Sequence, residues 1–197
     1  MPKPDLTKKG NTEFEIRGLN HLALVCRDMQ ATVDFYSGVL GMPLIKTLEL
    51  PNGIGQHFFF DIGNGDSLAF FWFPNAPEAH PGVSSASAMP GEGEIVTAHG
   101  SMNHVAFDVP EEKFDEYVAK LRAKGIHTSH VLNHDNSPMQ VAREMHPGVF
   151  VRSIYFMDPD GILLEFASWT KVFGASDVAH KPATAAEAQA PLVGTRP

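Results

Sequence analysis

The chain has 197 residues, 43% of them hydrophobic, and a formal net charge of −8 at neutral pH. That size holds one ordinary domain or two small units fused through a shared core, and the negative balance argues against nucleic acid or an anionic membrane as a partner. The single cysteine, Cys26, can form no internal disulfide. With no apolar run approaching the ~18 residues of a membrane span and no apolar stretch behind the opening Met-Pro-Lys-Pro-Asp, the reading is a cytoplasmic protein.

Residues 1–15 are polar and mixed in charge, and read as a flexible arm. The first unit, residues 16–74, starts with a strand near Leu19 to Val25. A helix follows, opened by Asp28 as its cap, with Met29, Val33, Tyr36 and Leu40 as one apolar stripe. Gly41 ends it, and strands are expected at Leu44 to Leu50, His57 to Ile62 and Ser67 to Phe73, with Asn64-Gly65 as a tight hairpin between the last two.

Residues 75–100 form a connector rich in Pro, Gly, Ser and Ala. A loop of that length in a compact chain is usually functional or disordered, so it is expected to cover the site or a subunit contact.

The second unit, residues 101–173, repeats the order. Its strand is His104 to Val109, and its helix uses Phe114, Tyr117, Val118 and Leu121 until Gly125. Strands near His127 to Leu132, Val151 to Met157 and Ile162 to Ala167 complete it, the last two joined by Asp158-Pro159-Asp160-Gly161. Residues 174–197 read as a second flexible tail. The fold class is α+β: two paired βαβββ modules forming a cup-shaped mixed sheet, since four strands cannot bury both faces alone.

The repeat extends to chemistry. Asn20-His21-Leu22-Ala23-Leu24 returns as Asn103-His104-Val105-Ala106-Phe107, and the segment from Phe60 to Phe70 aligns with that from Phe156 to Phe166, which sets Ala69 opposite Glu165. Glu165 stands in an apolar run, Ile162-Leu163-Leu164-Glu165-Phe166-Ala167, where a buried carboxylate is costly unless paired or bound to a cation. Two histidines and one carboxylate at repeat-matched positions, His21, His104 and Glu165, read as the ligand set of one open divalent-metal site.

On these residues the chain resembles the vicinal oxygen chelate superfamily, which includes glyoxalases, bleomycin-resistance proteins, methylmalonyl-CoA epimerase and type I extradiol dioxygenases. The resemblance covers Gly18 to Trp169. Glyoxalase-like members place another carboxylate or amide ligand where this chain has Ala69, so the remaining set resembles the two-His-one-carboxylate triad of the extradiol enzymes. The stretch from Ile154 to Glu165, with Tyr155 ten residues before Glu165, fits the C-terminal half of their signature. His134-Asp135-Asn136 is similar to the His and Asn that they place near the substrate hydroxyls, although Ser137 to Phe150 intervene before the signature resumes.

The resemblance implies a ring-cleaving dioxygenase acting on a catechol-like aromatic, a small molecule with adjacent oxygens. The metal would be iron(II), with manganese, zinc or nickel also compatible with these ligands. Tyr155, with His134 or His57, would carry the proton chemistry. Asn136 and Phe59 would contact substrate, Phe59 being the repeat counterpart of Tyr155. A glyoxalase- or epimerase-like lyase or isomerase is the alternative, and a drug-binding resistance protein a further one. A homo-oligomer is expected, and the sequence leaves open whether the modules pair within one chain or between chains.

Overall fold

The computed structural model describes residues 13–185. The order of elements is duplicated: the first half has β1 (His21–Cys26), α1 (Met29–Val33), a π-turn segment (Asp34–Val39), β2 (Leu44–Glu49), β3 (Gln56–Gly63) and β4 (Asp66–Trp72). The second half has β5 (Val105–Asp108), α2 (Phe114–Ala123), β6 (Leu132–His134), β7 (Val141–Ala142), β8 (Val151–Met157) and β9 (Leu163–Trp169). Two mixed sheets result, ordered β1-β4-β3-β2 and β5-β9-β8-β6-β7. In each, the first strand runs parallel to the last and the remaining pairs are antiparallel. The fold is thus the expected α+β pair of βαβββ modules, with β7 as an extra edge strand from the segment that follows His134. The ends of the chain, residues 1–12 and 186–197, lie outside the described residues, and with them most of the two predicted flexible segments.

Local chemistry sets the helices. Asp28 caps α1 by accepting the Ala31 N–H at 3.0 Å. The chain then widens into the π-type segment, in which Leu40 N–H reaches the Phe35 carbonyl. That extra residue per turn lets neighbouring Phe35 and Tyr36 both point inward, 8% and 0% exposed. In the second half, Phe114, Val118 and Leu121 form the buried stripe of α2, and Gly125 ends it in the left-handed region at φ 79°.

Strand alternation divides each sheet into two faces. One face packs on the helices: Phe60, Leu68 and Phe70 in the first module, and Ile154, Phe156 and Leu164 in the second, join the helix side chains in a single apolar cluster. Cys26 belongs to this cluster, and burial raises its thiol pKa, consistent with a core residue.

Polar ties cross between the modules on the same side. The Tyr36 hydroxyl, over the back of the first sheet, donates to Asp158 Oδ2 in the β8–β9 turn at 3.1 Å. Arg27 N–H donates to Asp160 Oδ2 at 3.1 Å, and Lys124 Nζ donates to the Val39 carbonyl. The opposite faces carry the candidate site residues. Among the described residues no helix is long and apolar enough to cross a membrane.

Candidate metal centre

On the second sheet, the pairing Ala106–Glu165–Tyr155 puts these three residues in one row on the face away from α2. His104 stands just before β5, and its Nε2 lies 3.0 Å from Glu165 Oε2. Its other nitrogen, Nδ1, is 2.9 Å from Asn103 Oδ1. The orientation of that amide is fixed, because Asn103 Nδ2 donates to the Ile95 carbonyl at 2.6 Å. Asn103 Oδ1 can only accept, so Nδ1 carries the ring proton and Nε2 presents its lone pair to a carboxylate oxygen. Two electron-rich atoms at this distance require a proton or a cation between them, and Glu165 is only 5% exposed. The donor set therefore fits a divalent metal ion.

His21 repeats this local design. Its Nδ1 is 2.8 Å from Asn20 Oδ1, which leaves Nε2 as the available donor. The significance of the duplicated Asn-His pair thus lies partly in the asparagine, an orienting residue that the sequence displayed but that ligand counting passed over.

The two histidines are not brought together within the chain. Among the described residues, no three His, Cys, Asp or Glu side chains cluster as a metal site. His104 and Glu165 form one part, and His21 stands apart on the first sheet. Around His21 the site face of that sheet is aromatic: Phe59 meets its ring edge-on at 5.7 Å, and His57 lies 4.3 Å from Phe59 and stacks on Phe71 at 3.6 Å, centroid to centroid. Burial and the neighbouring His21 lower the His57 pKa, and its buried Nε2 has no hydrogen-bond partner.

Ala69 pairs with Ala23 and Phe59 as Glu165 pairs with Ala106 and Tyr155. The repeat alignment is therefore also a structural one, and the first module offers a methyl group where the second offers a carboxylate.

Tyr155 is 6% exposed and lies edge-on to His104 at 5.7 Å. Burial, then the Glu165 charge, raises its pKa, so the phenol is a neutral hydrogen-bond donor. Its cover comes from the connector: Ala86 and Met89, each 3% exposed, pack with Tyr155 and Leu163 in a second apolar cluster. The expected functional connector thus lies against the site face of the second sheet.

His134 shares that face, opposite Val151, but Val151 is four residues from Tyr155 along β8, about 13 Å at the rise of a strand. Its nearest aromatic neighbour is Phe150, at 6.4 Å. Asn136 is exposed in the following loop, where its neighbour Asp135 accepts bonds from Ser137 and His146. The structure does not bring either residue to the His104–Glu165 pair. A cavity of about 670 Å³ between the modules is lined by Val25, Trp72, Met102, Asn103 and Leu163, among others, but not by His21, His104, Glu165 or Tyr155.

Two βαβββ modules, each with its first strand parallel to its last, define the fold class. The chain belongs to the Glyoxalase/Bleomycin resistance protein/Dioxygenase superfamily, whose family model matches residues 18–166. It is similar to MhqE of Bacillus subtilis (strain 168), a protein named for ring-cleaving dioxygenation, with 28% identity over 117 residues; the match covers 57% of this chain and 33% of that protein. It is also similar to Glyoxylase I 4 of Arabidopsis thaliana, 25% identical over 155 residues, covering 79% of this chain and 72% of the relative. Among solved structures, a glyoxalase family protein from Enterococcus faecalis superposes with a TM-score of 0.54 at 25% identity, covering 77% of this chain and 98% of that one.

Proposed function

We propose that the protein is a metal-dependent dioxygenase of the extradiol type, which cleaves a catechol-like aromatic ring, with His21, His104 and Glu165 as the ligands of iron(II). The observation that carries the reading is the His104 Nε2–Glu165 Oε2 contact at 3.0 Å, with Nδ1 committed to Asn103. Two imidazoles and one carboxylate, with Ala69 in place of a further donor, leave coordination positions for a substrate with adjacent oxygens and for dioxygen. Bound iron(II) would supply the Lewis acidity and the electrons for oxygen activation.

The chain's own residues account for binding and proton control. Tyr155, kept neutral by burial and by Glu165, donates a hydrogen bond to a substrate oxygen and orients it. Phe59 and Phe71 supply apolar surface for a ring, and Ala86 and Met89 exclude water from the Tyr155 side. We assign to His57, whose buried Nε2 has no hydrogen-bond partner, the acceptance of a proton from a substrate hydroxyl, and to His134 and Asn136 contacts with the distal part of a substrate.

A lyase or isomerase of the glyoxalase kind is the second reading, favoured by the fuller coverage of Glyoxylase I 4. The test is anaerobic loading with iron(II) and oxygen uptake with a panel of catechols. Uptake coupled to a ring-opened product is expected. Absence of uptake with every catechol, alongside isomerase activity in the zinc- or nickel-loaded protein, would overturn the proposal in favour of the second reading.

A further inference from the structure

The cavity of about 670 Å³ at the join between the modules stands apart from the donors of the metal centre. Sheet order explains why it is there. β1 and β5 are both edge strands, each bonded to one neighbour within its own sheet, so among the described residues no backbone ladder closes the space between the modules. The ends of β1 and β4, the turn before β9 and the connector wall it, through residues such as Val25, Trp72, Ile162 and Pro77. The connector wall is held by its own hydrogen bonds. Pro81 bridges Ser85, the Gly82 N–H donates to the Ser85 carbonyl at 2.7 Å, and the Ser84 hydroxyl accepts the His80 N–H at 2.9 Å. Protein interiors leave few voids larger than a water molecule, whereas roughly 300–1,000 Å³ with apolar walls and a few polar groups is the range of small-molecule sites.

We propose that this cavity binds a small organic cation with an apolar or aromatic body. Charge and wall chemistry select that class. The charged residues of the lining are Glu78, Asp160 and Arg27, which leaves one negative charge in excess. Asp160 is under-used as an acceptor. Its side chain is only 16% exposed, its Oδ2 accepts the Arg27 N–H at 3.1 Å, and its Oδ1 faces Arg27 Nε at 3.6 Å, too long for a hydrogen bond. Glu78 stands exposed on the connector. Of the neutral polar side chains, Asn103 is committed to His104 and the Ile95 carbonyl, and Ser84 to His80, while Ser85 adds a hydroxyl. Trp72 and Phe73 contribute aromatic surface, whose ring faces favour a cation over an anion.

Arg27 is the cation now beside Asp160. Its side chain is 71% exposed, and its ties to the join run through its main chain: the N–H to Asp160, and the carbonyl, which accepts Trp72 Nε1–H at 3.1 Å. The guanidinium is therefore free to turn into solvent while the cation of a ligand takes its place beside Asp160 and Glu78. The inference is independent of the metal reading.

The test uses benzyltrimethylammonium with the full chain at low salt, followed by calorimetry and by the emission of a Trp169→Phe background, which leaves Trp72 as its one tryptophan. Saturable binding that changes Trp72 emission over the same concentrations is expected. Phenylmethanesulfonate, an anion of similar size, should affect that emission about tenfold more weakly. Glu78→Gln should weaken the cation roughly two- to fivefold. Arg27→Gln should tighten it by a similar factor, because it removes a competing charge and keeps both main-chain ties. Glu111→Gln, the same charge change beyond the far end of β5, should leave it unchanged.

Preference for the sulfonate, lost in Arg27→Gln, would overturn the charge assignment and make Arg27 an anchor for anions. No saturable change in Trp72 emission with either compound overturns the site itself. Equal weakening in Glu78→Gln and Glu111→Gln also overturns it, since the cation would then be following only the chain's net charge of −8.

Discussion

Asp158 offers a quantitative probe of the joint between the modules. It is 7% exposed, accepts the Tyr36 hydroxyl at Oδ2 and takes the Asp160 and Ile162 backbone N–H groups at Oδ1. Burial is the largest influence on its carboxyl and raises the pKa to about 6, against ~3.9 for an ordinary aspartate. The folded chain therefore binds this proton more tightly than the unfolded chain. Stability contributed by the protonated form is fully present below about pH 4 and is lost as pH rises through about 6. At ~1.4 kcal/mol for each pKa unit, the loss is on the order of 3 kcal/mol.

Asp158→Asn keeps Oδ1 for the two backbone donors and puts an amide N–H against the Tyr36 oxygen, while removing the titration. The assay is urea unfolding of both proteins at a series of pH values from 4 to 7, with the difference between them taken at each pH. Taking that difference cancels the carboxylates the proteins share. The wild type should lose ground relative to Asp158→Asn by roughly 2 kcal/mol across this range. A difference that stays flat with pH, or that moves the other way, would refute the account of Asp158 as a buried group whose ionisation opposes folding.

Two further outcomes follow from the site. Asn103→Ala removes the acceptor that orients His104, and should weaken metal binding by about 10–100-fold without loss of fold; Asn103→Asp keeps an acceptor toward the ring and should recover part of it, and unchanged affinity in Asn103→Ala would show the bond to be idle. Met89→Ala removes a buried side chain from the cluster over Tyr155 and Leu163, and should cost about 2–5 kcal/mol with faster hydrogen exchange across residues 151–157; unchanged exchange and melting temperature would mean that the connector is held by other contacts.

Much of this architecture was legible because the repeat and the local rules agree. Asn64 and Gly65 both take positive φ, 58° and 82°, as the tight hairpin demands, and Asp28 caps the helix that it precedes. Where local reading failed, tertiary chemistry intervened. The strand expected at His127 to Leu132 is displaced to Leu132–His134 because Thr128 makes only an isolated bridge to Phe156, and the Tyr155 N–H is taken by the Ser129 side chain at 3.0 Å in place of a backbone carbonyl. The anchors in the connector, Ala86 and Met89, are single apolar residues in a Gly/Ser/Pro-rich stretch, with no period to reveal them. His21, His104 and Glu165 were legible as donors, but their distribution in space depends on which sides of the modules pack together. That is decided by Tyr36, Asp158 and the helix faces, far from the donors in sequence.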